Sequence, residues 1–483
     1  MNRLHQITLA LLGLLLPLCH VARSETPNIV IIFADDLGYG DISCNGATKI
    51  NTPRIDQLAA EGIRFTDAHA AASICSPSRY GILTGHSPWR LGKKGNGYSL
   101  PPDRLNLASM LRTQNYRAAT IGKWHLGYDK DFNKTPIKGP LDRGFTYHFS
   151  VPSNHNDSTR AFLENGELVG RKEGEAYKIV KGQKIPDGLA EPRVEDLVDT
   201  TLTQKAIEFI DRNADKPFLL YFTPCCPHTH VTPHADFRGT SDAGLLGDYV
   251  QELDSHVGKI LDTLDKHGLS ENTIVIFTSD NGGSPKDFTG THHVKLNLAS
   301  TDGDILNKYK TAKIDARKMG HLTNGQYKDG KGHPWEGGHR IPMIVRWPGK
   351  VQPNTTTDYL LNLTDIFATA AEVIGFELPD DAAEDSFSFL PILMGQKADH
   401  QREAIFIQGD SKDNAIAVCT GRWKLIEWKR GNEKDKKPDQ TLALFDLEAD
   451  PGETNDVSES YPERVQLLTD ALAEARENGR TRP

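Results

Sequence analysis

Four short apolar runs each stop abruptly in a polar cluster, and this pattern constrains the fold more than any other feature of the sequence. Residues 28–34 read NIVIIFA and run into Asp35-Asp36, and residues 117–122 read RAATIG and run into Lys123-Trp124-His125. PFLLYFT (217–223) leads to Pro224-Cys225-Cys226-Pro227-His228, and TIVIFTS (273–279) to Asp280-Asn281-Gly282-Gly283. Continuous apolar runs of this length suit parallel strands buried on both faces. Between them lie helix-compatible stretches over 52–61, 106–114, 198–213 and 246–267. Strand then helix, repeated, predicts an α/β sheet wound by right-handed crossovers. Ligands of such sheets collect outside the carboxyl ends of the strands. The four polar clusters, distant in sequence, are therefore expected on one edge.

A second strand-rich region begins near Ala404 with AIFIQG, AIAVCTGRWKLIEW and LALFDLEADPGETND, whose close spacing and turn residues predict antiparallel strands. Residues 462–478 suit a terminal helix. The expected fold is a large mixed, mostly parallel sheet sandwiched by helices, plus a small C-terminal α+β domain with an antiparallel sheet. The expected divisions are a leader over 1–24, a large α/β domain over 25–400 and a C-terminal antiparallel-sheet unit with its terminal helix over 401–483.

At the N-terminus, Arg3 precedes the apolar run ITLALLGLLLPL (7–18), and Ala22-Arg23-Ser24 offers small residues at cleavage spacing. This reads as a secretory signal, because a spanning helix needs about 20 apolar residues. Export by the secretion machinery to the periplasm or beyond is expected, without stable membrane insertion. Removing the leader takes Cys19 with it and leaves Cys44, Cys75, Cys225, Cys226 and Cys419, an odd number that gives at least one a use other than pairing. A net charge of -9 argues against a general nucleic-acid binder, though local cations could still hold an anionic substrate.

Cys75 is the candidate for that other use. In SICSPSRYGILTG it sits among serine, proline and arginine, with Pro77 suited to a first helical turn and Arg79 one turn on. That describes a reactive position at the mouth of a helix, where backbone N–H groups favour an anion. Cys75 and Arg79 enclose too few residues for a C-x5-R phosphatase loop. Asp35, Asp36, Asp280 and Asn281 offer oxygen ligands alone, which suits calcium or magnesium over zinc. Any one of them alone reads as a turn former; two pairs at strand ends read as a metal site. Arg79, Lys123 and Lys331 supply the opposite charge, and a metal with three fixed cations would hold a tetrahedral oxyanion. His125 and His228 follow apolar strands and can move protons near neutral pH.

At this point the chain resembles the type I sulfatases of the alkaline-phosphatase superfamily over nearly its whole mature length. CSPSRYGILTG matches the C-x-P-x-R signature with its following T-G. FADDLGYGD, GKWHLG, TSDNGG, DGKGHPWEGGHRIPMIVRWPG and FDLEADPGETND follow in family order. The resemblance implies that Cys75 is oxidised to Cα-formylglycine by a maturation enzyme and that its aldehyde hydrates to a geminal diol. One hydroxyl would attack sulfur and displace the alcohol; the second would then lose its proton and expel sulfate as the aldehyde reforms. It further implies a metal, calcium with magnesium as the alternative, on Asp35, Asp36, Asp280, Asn281 and residue 75. Arg79 would orient the diol, Lys123 and Lys331 would hold sulfate oxygens, and His125 would assist the diol's proton transfers. His228 would serve the leaving oxygen, alone or with Lys331.

The sequence departs from the family pattern in places. His230 stands in PHTHVTP where the family shows the histidine followed two residues later by proline, so His228 and His230 compete for the leaving group. Ser153 and Asn154 compete for a position near the sulfate, and His333 replaces a frequent threonine on the leaving-group side. The expected substrate is an extracellular sulfated saccharide. The rivals are a phosphonate monoester or phosphodiester hydrolase of the same superfamily and a non-catalytic glycan-binding relative. The latter would be expected to lack Cys75, Arg79 or the metal carboxylates, and none is missing.

Overall fold

The computed structural model describes residues 26–92, 95–128, 135–157, 160–171, 190, 192–285, 298–299, 308–309, 311–398, 402–409, 415–428 and 442–482. The leader over 1–24 and the border at 400/401 lie outside these residues.

The four apolar runs are strands β1 (Asn28–Ala34), β3 (Arg117–Lys123), β7 (Phe218–Thr223) and β8 (Thr273–Ser279). With β2 (Ile63–Phe65), β4 (Tyr147–Val151), β5 (Leu163–Glu164), β6 (Glu167–Leu168), β9 (Met343–Arg346) and β10 (Thr355–Thr357) they form a ten-stranded sheet, ordered β10-β2-β9-β8-β1-β7-β3-β4-β5-β6. The centre, β8 to β4, is parallel throughout, and antiparallel pairs join β9 to β8 and β4 to β5. The mixed, mostly parallel sheet is as the sequence predicts.

Alternation along β1 explains the layers. Ile29, Ile31 and Phe33 face a core built with α2 (Cys75–Thr84), α3 (Leu107–Arg112) and α7 (Asp365–Val373). Val30, Ile32 and Ala34 face the opposite core, built with α1 (Pro53–Ala60), α4 (Val198–Asn213) and α5 (Gly244–Lys266). Both faces being covered, the central strands carry no polar side and read as unbroken apolar runs. Helix α3 is shorter than the 106–114 stretch because Asn106 caps it, accepting from the N–H groups of Ala108 and Ser109.

The C-terminal region forms a separate antiparallel sheet of β11 (Ile405–Gln408), β12 (Ala415–Cys419), β13 (Trp423–Trp428) and β14 (Leu442–Asp446), in that order. The run AIAVCTGRWKLIEW is thus two strands, folded back at Gly421, whose φ of 82° suits glycine. Helix α8 (Pro462–Glu477) covers one face through Leu468, Leu472 and Ala475. The other face packs on Trp335 from the large unit.

Candidate active site

Register brings the polar clusters together. Ala34 pairs with Ser279, so Asp35-Asp36 and Asp280-Asn281 leave adjacent strands at the same level. Lys123 lies beside them as the last residue of β3, one residue further into the strand than the apolar run predicts. Gly122 makes this possible: its φ is 121°, and a Cβ there would stand 1.9 Å from the Thr223 carbonyl oxygen.

Cys75 reaches the same edge from the first position of α2, all ten of whose residues are buried. Its Sγ lies 3.6 Å from Asp35 Oδ1, 3.8 Å from Asp36 Oδ1 and 3.1 Å from Lys331 Nζ. One turn on, Arg79 donates through Nε to Asp280 Oδ2 at 3.0 Å and through Nη1 to the Lys123 carbonyl at 2.9 Å. Lys123 Nζ donates to Asp35 Oδ1 at 2.7 Å, and Lys331 Nζ to Asp36 Oδ1 at 2.6 Å. Asn281 Nδ2 donates to that same Asp36 oxygen at 2.9 Å. Lys331 is carried by the turn after Asp329, whose neighbouring backbone crowds the Asn281 loop: a Cβ on Gly282 would meet the Gly337 carbonyl oxygen at 1.9 Å.

The two histidines in dispute are separated in space. His228 Nε2 lies 3.8 Å from Asp36 Oδ2, while its Nδ1 donates to the Thr229 carbonyl at 2.5 Å. The His230 ring packs instead beside His155 and edge-on to Tyr309, 5.0 Å between the latter centroids. His333 pairs with Asp329 at 3.6 Å. Asn154 follows β4, and its Oδ1 is buried without a hydrogen-bond partner. A further cation, Lys313 on α6 (Ala312–Lys318), places Nζ 3.6 Å from Asp36 Oδ2. The sequence pattern gives no sign of it, since Lys313 ends no apolar strand and lies in no motif.

Electrostatics follow from this packing. Burial pushes the Asp36 carboxyl up, but Lys331, His228 and Lys313 together outweigh it and hold the group well below its ordinary range. Burial raises Asp280 despite Arg79. Lys331 is held well above its usual value, burial being overcome by Asp36. Burial, then the neighbouring cations, keep His125 well below the usual imidazole range. Burial also pushes the Cys75 thiol up to about 12, Asp280 adding to it against Lys123 and Lys331. Positive neighbours alone suggest a reactive thiol; desolvation wins, and at neutral pH the group is not a thiolate.

Four cationic side chains, Arg79, Lys123, Lys313 and Lys331, thus meet three carboxylates, Asp35, Asp36 and Asp280, so the centre already favours an anion. Asp35 Oδ2 and Asn281 Oδ1 are buried with no hydrogen-bond partner. Such oxygens are costly unless something occupies them, and their neighbours fit a divalent cation: Asp35, Asp36, Cys75 and His228 each offer a ligand atom within 4.8 Å of the others.

The family profile described as Sulfatase matches residues 27–376, and that described as N-sulphoglucosamine sulphohydrolase, C-terminal, matches 329–478. The chain is 34% identical to N-acetylgalactosamine-6-O-sulfatase of Bacteroides thetaiotaomicron, covering 93% of each chain. It is 30% identical to N-acetylgalactosamine-6-sulfatase of Canis lupus familiaris, over 92% of this chain and 84% of that one. A solved structure from glycosaminoglycan metabolism in Bacteroides thetaiotaomicron superposes with a TM-score of 0.80 at 34% identity, covering 94% of this chain and all of the other.

Proposed function

Since this chain belongs to the sulfatase family, we propose that its hydrolysis of sulfate esters runs at the strand-tip centre, on a sulfated saccharide, with Cys75 carried as Cα-formylglycine. The observation that carries this reading is the pair of buried oxygens, Asp35 Oδ2 and Asn281 Oδ1, left without a hydrogen-bond partner in a centre where Cys75 Sγ lies 3.6 Å from the other Asp35 oxygen. Asp35, Asp36, Asp280, Asn281 and residue 75 would hold a divalent cation, calcium on the strength of an all-oxygen donor set once the sulfur is replaced. When bound, that ion supplies positive charge to a sulfate oxygen and makes a neighbouring hydroxyl easier to deprotonate.

In this structure Sγ of Cys75 stands where the oxygens of a hydrated aldehyde would sit. A thiol held at about 12 is a poor nucleophile at neutral pH, whereas the hydrate offers one hydroxyl to attack sulfur and a second through which sulfate can leave. Lys331 Nζ lies 3.1 Å from Sγ and would fix a sulfate oxygen beside that position. Lys123, anchored on Asp35, holds another oxygen from the strand side. Arg79 is committed to Asp280 and the Lys123 carbonyl, so it fixes the helix start that presents residue 75. His125 takes and returns the hydroxyl protons. His228 is assigned to the leaving oxygen in preference to His230, because its Nε2 lies 3.8 Å from Asp36 Oδ2, while the His230 ring packs on His155 and Tyr309.

The N-acetylgalactosamine 6-sulfatase names of two relatives favour a 6-O-sulfated amino sugar as substrate. Among the described residues no helix is long and apolar enough to cross a membrane. The apolar leader and its small-residue cleavage site support export, and oxidation of Cys75 requires a maturation enzyme as partner. The test is side-by-side turnover of an aryl sulfate and an aryl phosphonate monoester. Faster sulfate release is expected; equal or faster phosphonate hydrolysis would transfer the centre to the rival chemistry.

A further inference from the structure

The segment that carries His228 is held at both ends by buried acids. Residues 224–233, PCCPHTHVTP, leave β7 and reach His234 without one exposed position. Pro224, Pro227 and Pro233 have no N–H, so the shape of the segment depends on where its remaining donors are tied. Asp199 on α4 takes the first of them, its Oδ1 accepting from the Cys225 N–H at 2.6 Å. Glu252 on α5 takes one at the far end, its Oε2 accepting from the His234 N–H at 2.8 Å.

Both acids are fixed in turn. Tyr249 of α5 donates its hydroxyl to Asp199 Oδ2 at 2.7 Å, and His256, one turn beyond Glu252, places Nε2 3.2 Å from Glu252 Oε1. All four side chains are buried. Burying two carboxyls is costly, and each secures one end of this segment. Between them, His228 is tied to the backbone it sits on. Its N–H donates to the Cys225 carbonyl at 2.9 Å and its ring Nδ1 to the Thr229 carbonyl at 2.5 Å, so Nε2 moves with residues 225–229. That Nε2 is the atom 3.8 Å from Asp36 Oδ2.

Resting on the assignment of His228 to the leaving oxygen, we propose that Asp199 and Glu252 are positioning residues for sulfate-ester cleavage, clamping residues 225–234 so that His228 Nε2 meets the departing oxygen. Their effect falls on proton delivery. It is large where the leaving group needs a proton and small where it departs as a stable phenolate. The Cys226 carbonyl also accepts from the Asp35 N–H at 3.2 Å. A displacement passed that way to the metal carboxylates would slow every substrate alike, which separates the two effects.

The test measures kcat/KM for a series of aryl sulfates, from 4-nitrophenyl to 4-methylphenyl, whose leaving groups grow more basic. Each variant is run against the whole series from one preparation, so the slope against leaving-group basicity is independent of the fraction folded or matured. His228→Ala should lose at least about 10²-fold at the basic end, and much less at the nitrophenyl end. Asp199→Ala and Glu252→Ala should steepen the series in the same sense, by at least about tenfold between its ends. Asp199→Asn and Glu252→Gln keep an acceptor for the Cys225 and His234 N–H groups and should restore the wild-type slope. Adding Asp199→Ala to His228→Ala should steepen it no further. A wild-type slope in either Ala variant, with or without a uniform loss of rate, or further steepening in the double variant, would overturn the clamp and leave the assignment of His228 in place. A slope unchanged by His228→Ala would overturn that assignment and the clamp with it.

Discussion

Two regions of the molecule bury charge on a similar scale and do so to different ends. At the strand tips, Asp35, Asp36, Asp280 and Asn281 face Cys75 and keep two oxygens bare. At the joint between the two sheets, Glu336, Glu453 and His339 enclose Lys424, and His69 backs His339 at 2.9 Å, all of them buried. Lys424 Nζ lies 3.0 Å from Glu336 Oε1, 2.8 Å from Glu453 Oε1 and 3.0 Å from His339 Nε2. Arg340 ties Glu336 to Asp67, and Asp67 holds His69 at 2.7 Å. Both regions contain carboxylates and histidines at metal-ligand spacing. In the second, Lys424 alone contacts both glutamates and His339, whereas at the strand tips Lys123 and Lys331 each hold one carboxylate oxygen and leave Asp35 Oδ2 and Asn281 Oδ1 without a hydrogen bond. Burial of charge therefore does not mark a ligand site by itself; a donor set left open does.

The second region also serves the first. Glu336 lies five residues beyond Lys331, and its N–H donates to Glu453 Oε2 at 2.6 Å. The C-terminal sheet thereby holds the chain segment that carries Lys331. Charge confined there costs stability when broken, whereas charge at the strand tips costs turnover.

The contrast can be attacked at its extremes first. Cys75→Ala should lower sulfate release by at least about 10³-fold, from loss of the nucleophile, with little change in melting temperature. Lys424→Met should show the reverse emphasis. It leaves Glu336 and Glu453 without their ammonium and should cost about 3–5 kcal/mol in chemical denaturation, with a smaller loss of turnover. A Lys424→Met protein as stable as wild type yet inactive would erase the distinction.

Metal removal sharpens it. Chelation should abolish turnover and lower the melting temperature, and calcium at a hundredfold excess over its Kd should restore about 3 kcal/mol. Lys424→Met should keep that calcium response, and Asp35→Ala should lose it. Calorimetry with and without calcium reads both.

A third buried acid, Glu252 on α5, has neither a bare oxygen to fill nor a lysine in contact, and burial pushes it up to about 7. A carboxyl raised in the folded state favours folding below its unfolded value and loses that contribution as pH rises towards 7. The wild type should therefore lose up to about 3 kcal/mol from this group between pH 4.5 and 7. Glu252→Gln should gain stability relative to wild type as pH rises from 5 to 8 in urea melts. A difference independent of pH would show that Glu252 is charged in the fold.

What the sequence disclosed depends on whether a residue's role is set locally. β1 and β8 are legible end to end because each is buried on both faces, and their polar termini name Asp35, Asp36, Asp280 and Asn281. Lys123 is legible through the glycines of GKWHLG. Lys313 is not: it lies on an ordinary amphipathic helix and reaches Asp36 because Ala312 and Ala316 let α6 settle into the core shared with α5. Lys424 reads as an inward strand position in RWKLIEW, and its partner Glu336 lies 88 residues away. The effect of burial on the Cys75 thiol is equally a product of packing, since ten consecutive buried residues in a helix containing serine, threonine and arginine cannot be foreseen from composition.

The account stands on residue 75 acting as an oxidised side chain at the strand-tip centre. The most direct test measures, across preparations made with increasing amounts of maturation enzyme, the fraction of the Cys75 peptide carrying aldehyde by mass spectrometry and the rate of sulfate release by the same samples. The rate should rise in proportion to the aldehyde fraction and extrapolate to zero in its absence. Full turnover from protein whose Cys75 is entirely thiol would contradict it.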